Sequence, residues 1–84
     1  MLKLLYFARL RENLGVAAEQ IALPAGVVDV ATLAWHLRAR GDAWARELAP
    51  ERPIRAAVNQ AMARGETRIR DGDEIAFFPP VTGG

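Results

Sequence analysis

The chain has 84 residues, of which 51% are hydrophobic, and its 11 basic and 10 acidic side chains give a net charge of +1. This length and composition predict one small domain with a hydrophobic core and exclude an intrinsically disordered chain. The small net charge favours neither nucleic acid nor acidic lipid as a partner, and the lack of cysteine excludes disulfides and thiolate metal sites.

The first ten residues, MLKLLYFARL, contain an apolar run that is too short and too interrupted for a membrane span. Arg9 and Arg11 follow this run instead of preceding it, which is the wrong order for a signal peptide. We therefore expect a cytoplasmic protein without a membrane partner.

Side-chain alternation predicts a first β-strand over residues 2–10, with bulky apolar residues on both of its faces. Residues 11–15, RENLG, predict a short helical turn that ends at its glycine. A second strand over residues 19–23 ends at the Pro-Ala-Gly turn of residues 24–26. The chain thus begins with two strands joined by a short connection.

The main helix is predicted to begin after Asp29, whose carboxylate suits an N-cap. Four apolar residues at helical spacing follow and form one stripe: Val30, Leu33, Ala34 and Leu37. Gly41 supplies the stop, and a second short helical piece is expected over residues 43–48.

Three further strands are predicted over residues 54–59, 67–70 and 74–78, the middle one being a short edge strand. The turn DGDE, residues 71–74, precedes the last strand. Its three carboxylates suggest calcium, but without further oxygen donors we interpret them as turn residues and expect no metal site.

This order of elements, with only one long helix, predicts an α+β fold in which that helix packs across one face of a mixed sheet. The order is the one found in the β-grasp, or ubiquitin-like, fold, although periodicity alone indicates no more than one helix on a sheet. We assign residues 1–78 to the β-grasp domain and residues 79–84 to an extended C-terminal tail.

The opposite face of the predicted sheet is expected to expose an apolar patch with arginines at its rim, a composition typical of a partner-binding surface. We expect the helix to cover Leu4, Tyr6, Ile75 and Phe77. The predicted partner interface comprises Leu5, Phe7, Arg11, Arg55 and Phe78, with Arg9 nearby. Two other interpretations stay open, namely that the loop 42–53 covers these side chains or that they pack in a self-dimer.

The chain ends in FFPPVTGG. Pro79 and Pro80 have no N–H group, so they end the sheet ladder and favour an extended course, which the β-branched Val81 and Thr82 continue. The pair Gly83–Gly84 can pass through a slot too narrow for a Cβ and leaves the last carbonyl carbon open to attack. We therefore expect the tail, from Pro79 through Gly83, to insert into a partner and deliver Gly84.

The stretches AAVNQ at residues 56–60 and DGDEIAFFPPVTGG at residues 71–84 resemble the small sulfur-carrier subunits of molybdopterin synthase, a ubiquitin-like sulfur-carrier family. The opening LKLLYFARLRENLG is similar to the first strand and turn of that family. The ending FPPVTGG is the most specific part of the resemblance, and residues 17–53 are the least specific.

The resemblance implies a chemistry centred on the α-carboxylate of Gly84. In that family an adenylyltransferase of the ubiquitin-activating type uses ATP to adenylate the carboxylate, and sulfur from a donor protein replaces AMP. The thiocarboxylate then gives its sulfur to cyclic pyranopterin monophosphate in the large subunit of molybdopterin synthase, during molybdenum cofactor biosynthesis. This chain would itself bind no cofactor, and the catalytic residues would lie in its partners. The sequence contains no Gly-rich phosphate loop and no paired histidines.

Three alternatives remain at this point. The chain could carry sulfur for thiamin-thiazole synthesis, it could be a ubiquitin-like protein modifier that forms isopeptide bonds through Gly84, or it could be an interaction domain with an inert tail. The sequence also leaves open whether the complex with the large subunit is a heterodimer or a heterotetramer.

Overall fold

The computed structural model describes residues 1–80. Within these residues the chain forms, in order, β1 (Leu2–Tyr6), α1 (Ala8–Leu14), β2 (Ala18–Ile21), α2 (Val30–Arg38), α3 (Asp42–Glu47), β3 (Arg55–Val58), β4 (Ala61–Ala63) and β5 (Glu74–Phe78). No helix in this described part is both long enough and apolar enough to cross a membrane.

The five strands form one mixed sheet in the order β2-β1-β5-β3-β4. The two central strands, β1 and β5, run parallel, whereas the other neighbouring pairs are antiparallel. A parallel pair needs a crossover connection, and α2 lies in the stretch of chain between β1 and β5. The structure therefore confirms the predicted mixed sheet with one main helix.

One face of the sheet packs against the helices. The alternate residues Leu2, Leu4 and Tyr6 of β1 and Ile75 and Phe77 of β5 are all buried. The apolar stripe of α2 completes this core through Val30, Leu33 and Leu37, together with Leu10 of α1 and Leu48 after α3. The predicted covered face is thus confirmed.

The start of α2 follows directly from its sequence. The Asp29 carboxylate accepts a hydrogen bond from the backbone N–H of Thr32, at 2.8 Å, and the Thr32 hydroxyl oxygen accepts one from the Asp29 N–H, at 3.0 Å. This reciprocal pair is a capping box, which satisfies two N–H groups that the helix leaves without partners. The predicted N-cap is confirmed. The helix ends at Arg38, before the predicted stop at Gly41, which instead precedes α3 with a φ of 82°.

The prediction of a strand through residues 2–10 was wrong in its second half. β1 ends at Tyr6, and α1 occupies Ala8–Leu14, a longer helix than the predicted turn. Leu10 is fully buried, and Leu14, one helical turn later, packs against the same core. A helix lets both leucines reach that core, which outweighs the strand pattern of the isolated segment.

The prediction of an edge strand at residues 67–70 was also wrong. The edge strand is β4, Ala61–Ala63, which forms a hairpin with β3, and the predicted segment makes only an isolated bridge between Asp29 and Arg68. The reason is the connection at Asn59 and Gln60, which is short enough to fold the chain directly back along β3. Residues 67–70 instead pass the start of α2 and contribute the buried Ile69 to the core.

Candidate functional site

The tail leaves the domain from the centre of the sheet. β5 has β1 on one side and β3 on the other, and Pro79 follows its last residue, Phe78, directly. Both Pro79 and Pro80 are half-buried. Because proline has no N–H to donate, the ladder stops here, as predicted. The predicted tail residues Val81, Thr82, Gly83 and Gly84 lie outside the described residues.

The sheet face opposite the helices carries a continuous row of apolar side chains across four strands. The register places Leu5 beside Ala76, Ala76 beside Ala57, and Ala57 beside Met62. In β1, β3 and β5 these residues alternate with buried ones, and Met62 shares the face of its partner Ala57, so their side chains point away from the helices. Met62, at the edge, is 67% exposed.

A second row lies next to the point where the tail begins. Arg55 of β3 pairs with Phe78 of β5, and the N–H of Phe7 donates to the carbonyl of Phe77, at 3.2 Å. Phe7 is 45% exposed, a large fraction for a phenylalanine, and Phe78 is half-buried. We call Leu5, Phe7, Arg55, Met62 and Phe78 the open-face patch.

The backbone around Phe7 is fixed from two sides. Its N–H is bound to β5, while its carbonyl accepts hydrogen bonds from the N–H groups of Leu10 and Arg11. Ala8, which follows, has a φ of 53° and turns the chain from β1 into α1. Phe7 is therefore presented by a rigid corner between a strand and a helix.

The structure brings four of the five predicted interface residues onto one sheet face: Leu5, Phe7, Arg55 and Phe78. Arg11, on α1, is exposed, and its backbone N–H donates to the carbonyl of Phe7, at 3.4 Å. The loop 42–53 does not account for the patch, because its residues Trp44 and Leu48 pack into the core under the opposite face. Sequence reasoning missed Met62, because the wholly apolar stretch Ala61–Ala63 contains no alternation of polar and apolar residues that would indicate a strand.

Glu47 is the one buried charged residue of the described chain, being 2% exposed, and no pattern in the sequence predicts its burial. Its Oε2 accepts a hydrogen bond from Asn13 Nδ2, at 3.0 Å, and lies 4.0 Å from an Arg52 nitrogen. Its Oε1 lies 3.4 Å from Arg9 Nε but accepts no hydrogen bond within residues 1–80. These contacts join α3 to α1, so Arg9 serves this junction instead of the patch.

In the acidic turn before β5, the carboxylates of Asp71 and Asp73 accept hydrogen bonds from other groups of the domain. Asp73 accepts hydrogen bonds from Asn59 Nδ2, at 3.0 Å, and from the N–H of Arg70, at 2.8 Å, and both interactions hold its pKa below the ordinary value. Asp71 accepts one from the N-terminal ammonium group, which likewise lowers its pKa. Within residues 1–80 no group of three or more metal-ligating side chains comes together.

The chain is similar to known proteins over its whole length. The model of the ThiS family matches residues 4–84. The molybdopterin synthase sulfur carrier subunit of Escherichia coli K12 is 44% identical to the chain over the full length of both proteins, and that of Haemophilus influenzae Rd is 43% identical, also over the full length of both.

Two solved structures share the fold. A putative molybdopterin converting factor subunit 1 from Pyrococcus furiosus has a TM-score of 0.75 and 30% identity, covering 95% of this chain and 97% of that one. A chain in the complex of subunits 1 and 2 of the molybdopterin-converting factor from Helicobacter pylori 26695 has a TM-score of 0.65 and 23% identity, covering 99% and 97%. The likeness to the second is one of fold.

Proposed function

The chain belongs to the ThiS family, and we propose that it is a sulfur carrier in molybdenum cofactor biosynthesis, acting as the small subunit of a molybdopterin synthase. The observation that carries this proposal is its identity of 44% and 43%, from end to end, with two molybdopterin synthase sulfur carrier subunits. The open-face patch and the start of the tail lie at the same end of the sheet, so a partner bound to the patch is also close to the tail that carries the sulfur. A cytoplasmic location is part of the proposal.

The large synthase subunit is the partner that we assign to the open-face patch. Aromatic residues with an arginine are the composition most enriched at protein interfaces. Phe7 and Phe78 adjoin the start of the tail, so a protein that covers them also lies where Pro79 and Pro80 direct the chain. A protein of the same fold from Helicobacter pylori forms a complex of subunits 1 and 2, which supports the large subunit as the kind of partner but does not identify the surface that it binds.

The reactive group in this proposal is the α-carboxylate of Gly84. One of its oxygens bonds to the α-phosphorus of ATP in an adenylyltransferase of the ubiquitin-activating type, and pyrophosphate leaves. A sulfur nucleophile at the oxidation level of hydrogen sulfide, supplied by a donor protein, then bonds to the carbonyl carbon. The C–O bond to AMP breaks, AMP leaves with the electron pair, and a thiocarboxylate remains with no net oxidation or reduction.

In the second half of the reaction, the thiocarboxylate gives up its sulfur and the carboxylate is regenerated. The thiocarboxylate sulfur bonds to a carbon of cyclic pyranopterin monophosphate in the large subunit, and an oxygen substituent of that carbon leaves with the electron pair of its C–O bond. Water then adds to the acyl carbon, the acyl–sulfur bond breaks with its electron pair passing to sulfur, and the Gly84 carboxylate is restored. The chain is thus a co-substrate that binds no cofactor of its own. Its contribution is to position the tail, which can reach about 20 Å over residues 79–84 when extended.

The experiment is to incubate the chain with ATP, the adenylyltransferase and a sulfur donor and to measure its intact mass. We expect one oxygen to be exchanged for sulfur. Deleting Gly84, or adding one residue after it, should abolish sulfur transfer while leaving the melting temperature unchanged, because the core that stabilises the domain is formed by residues 2–77. Normal transfer by either variant would contradict the role of Gly84.

The same experiment separates the rival functions. Covalent ladders on other proteins would indicate a protein modifier, and an unchanged mass would indicate an inert tail. Adding the purified large subunit with cyclic pyranopterin monophosphate distinguishes the two carriers, because a thiamin-thiazole carrier would keep its sulfur in that mixture.

A further inference from the structure

The helix side of the sheet is only partly covered. Five strands at about 4.8 Å spacing are roughly twice as wide as one helix of about 10 Å diameter. α2 packs on the central strands, and a cleft of about 480 Å³ remains between it and the β3–β4 hairpin. Its floor includes the buried residues Leu48, Ala56 and Phe77. We call this cleft the α2–β4 groove.

Small side chains keep the groove open. Ala31 and Ala34 line it on the α2 side, and Ala63 and Gly65 line it on the hairpin side. The N–H of Ala31 donates to the carbonyl of Gly65, at 2.9 Å, which holds the end of the hairpin against the helix. The two walls are therefore fixed in position. The three alanines have no atoms beyond Cβ and Gly65 has no side chain, so these residues leave the space between the walls unfilled.

The charges at the groove all have one sign. Arg38, Arg52, Arg55 and Arg64 are among the lining residues, and no aspartate or glutamate is. Arg38 is held in place by the ring of Trp35, 4.9 Å from its guanidinium carbon, and by the carbonyl of Leu48, at 3.4 Å. Within residues 1–80, neither Arg38 nor Arg64 has a carboxylate at ion-pair distance.

The lining also indicates which class of ligand fits. Apart from the arginines it is wholly apolar, and it contains no neutral polar side chain of the kind that orients small molecules in their pockets. An apolar floor with arginines around it instead matches a peptide that alternates apolar and acidic side chains.

We propose that the α2–β4 groove docks a short acidic segment of a partner protein. Apolar side chains of that segment enter between Ala34 and Ala63, and its carboxylates pair with Arg38 and Arg64. Ala56 faces the groove, whereas its neighbour Ala57 lies in the row on the opposite face, so the groove and the open-face patch are on opposite sides of the sheet and share only Arg55. The chain can therefore hold this partner while its tail is engaged elsewhere.

The test uses the full-length, isotope-labelled chain and a displayed library of short random peptides. We expect the selected peptides to be rich in acidic and apolar residues and to shift the amide signals of Ala31, Ala34, Ala63 and Gly65. Selection of basic peptides, selection of none, or shifts confined to the open-face patch would overturn the proposal. So would displacement of the peptide by AMP or inorganic phosphate, which would make the groove a site for small anions.

Two substitutions probe the mechanism of docking, each with a matched control. Arg64→Glu should weaken binding of a selected peptide about fivefold or more, whereas Arg46→Glu, the same charge change on α3, should not. Ala34→Leu should block the groove, whereas Ala45→Leu should not. Circular dichroism verifies that each variant is folded, and equal effects in variant and control would refute the proposed site.

Discussion

Asn59 and Gln60 connect β3 to β4, and both have positive φ angles, of 50° and 71°. Such a pair is typical of a type I′ turn, whose twist matches that of the flanking strands. Asn59 tolerates this conformation and anchors the turn, because its side-chain oxygen accepts a hydrogen bond from the N–H of Glu74, at 3.0 Å. Gln60 has no comparable contact among the described residues and adopts a backbone that favours glycine.

Gln60→Gly should therefore stabilise the domain. Relief of the left-handed conformation is worth about 1–2 kcal/mol, and the greater freedom of glycine in the unfolded chain offsets part of it, so we expect a gain of about 0.5–1 kcal/mol. Urea denaturation measures the free energy of unfolding. Gly72→Ala, at a φ of 95°, is the matched control and should destabilise the domain. A destabilised Gln60→Gly variant would contradict this account of the turn.

At the scale of elements, the two sides of the sheet have different roles. One side is partly covered by α2, whose position is fixed by its capping box and its apolar stripe. The other side is left open, and the hairpin β3–β4 extends it as far as Met62. The corner between β1 and α1 places Phe7 on this open side, beside the end of β5.

Phe7→Asp tests the open face. Because Phe7 is 45% exposed, we expect little change in melting temperature but a loss of affinity for the large synthase subunit of about thirtyfold or more, as for an interface hot spot. Isothermal titration calorimetry measures the affinity. Val28→Asp, at a residue 42% exposed outside the patch, should bind normally. If the Phe7→Asp variant is unfolded, Phe7 belongs to the core. If the variant is folded and its affinity is unchanged, the patch is not part of the interface.

At the scale of the whole molecule, a polar network ties separate elements together. Arg40 binds both carboxylate oxygens of Glu19, at 2.8 and 3.1 Å, and the Tyr6 hydroxyl donates to the same carboxylate, at 2.8 Å. Trp44 packs edge-on against Tyr6, with the Arg40 guanidinium over its ring. This network joins β1, β2, α3 and the chain after α2, and burial raises the pKa of Tyr6 above its ordinary value.

The stability of the domain should fall in acid. The hydrogen bond from Arg40 holds the pKa of Glu19 below its ordinary value, and that from the Thr32 N–H lowers the pKa of Asp29. A carboxylate whose pKa is lower in the folded protein than in the unfolded chain stabilises the fold at pH values above its ordinary pKa of about 4. This contribution is lost as the pH falls through the folded-state pKa.

Urea midpoints measured between neutral pH and pH values below about 4 test this expectation. The midpoint should be constant near neutrality and should decrease below the ordinary carboxylate pKa. Glu19→Gln should lower the midpoint at neutral pH and reduce its further loss in acid. A midpoint that does not change in acid would contradict the contribution of these carboxylates.

The sequence predicted most strongly those features that a single element carries. Asp29 with the stripe from Val30 to Leu37 specified α2, and alternation along β1 and β5 specified which of their residues are buried. Boundaries were less certain, because a strand pattern at residues 7–10 competes with a helix that buries Leu10 and Leu14. The edge strand was misplaced because three residues, Ala61–Ala63, contain too short a pattern to be distinguished from a turn.

The sequence by itself determined the fold class, the family resemblance and four residues of the open-face patch, because alternation assigns side chains to the two faces of a strand before any pairing is known. Only the tertiary structure decided the strand order, the burial of Glu47 and the existence of the α2–β4 groove. These features depend on contacts between residues far apart in the chain, such as Ala31 with Gly65, and local patterns carry no information about such distances.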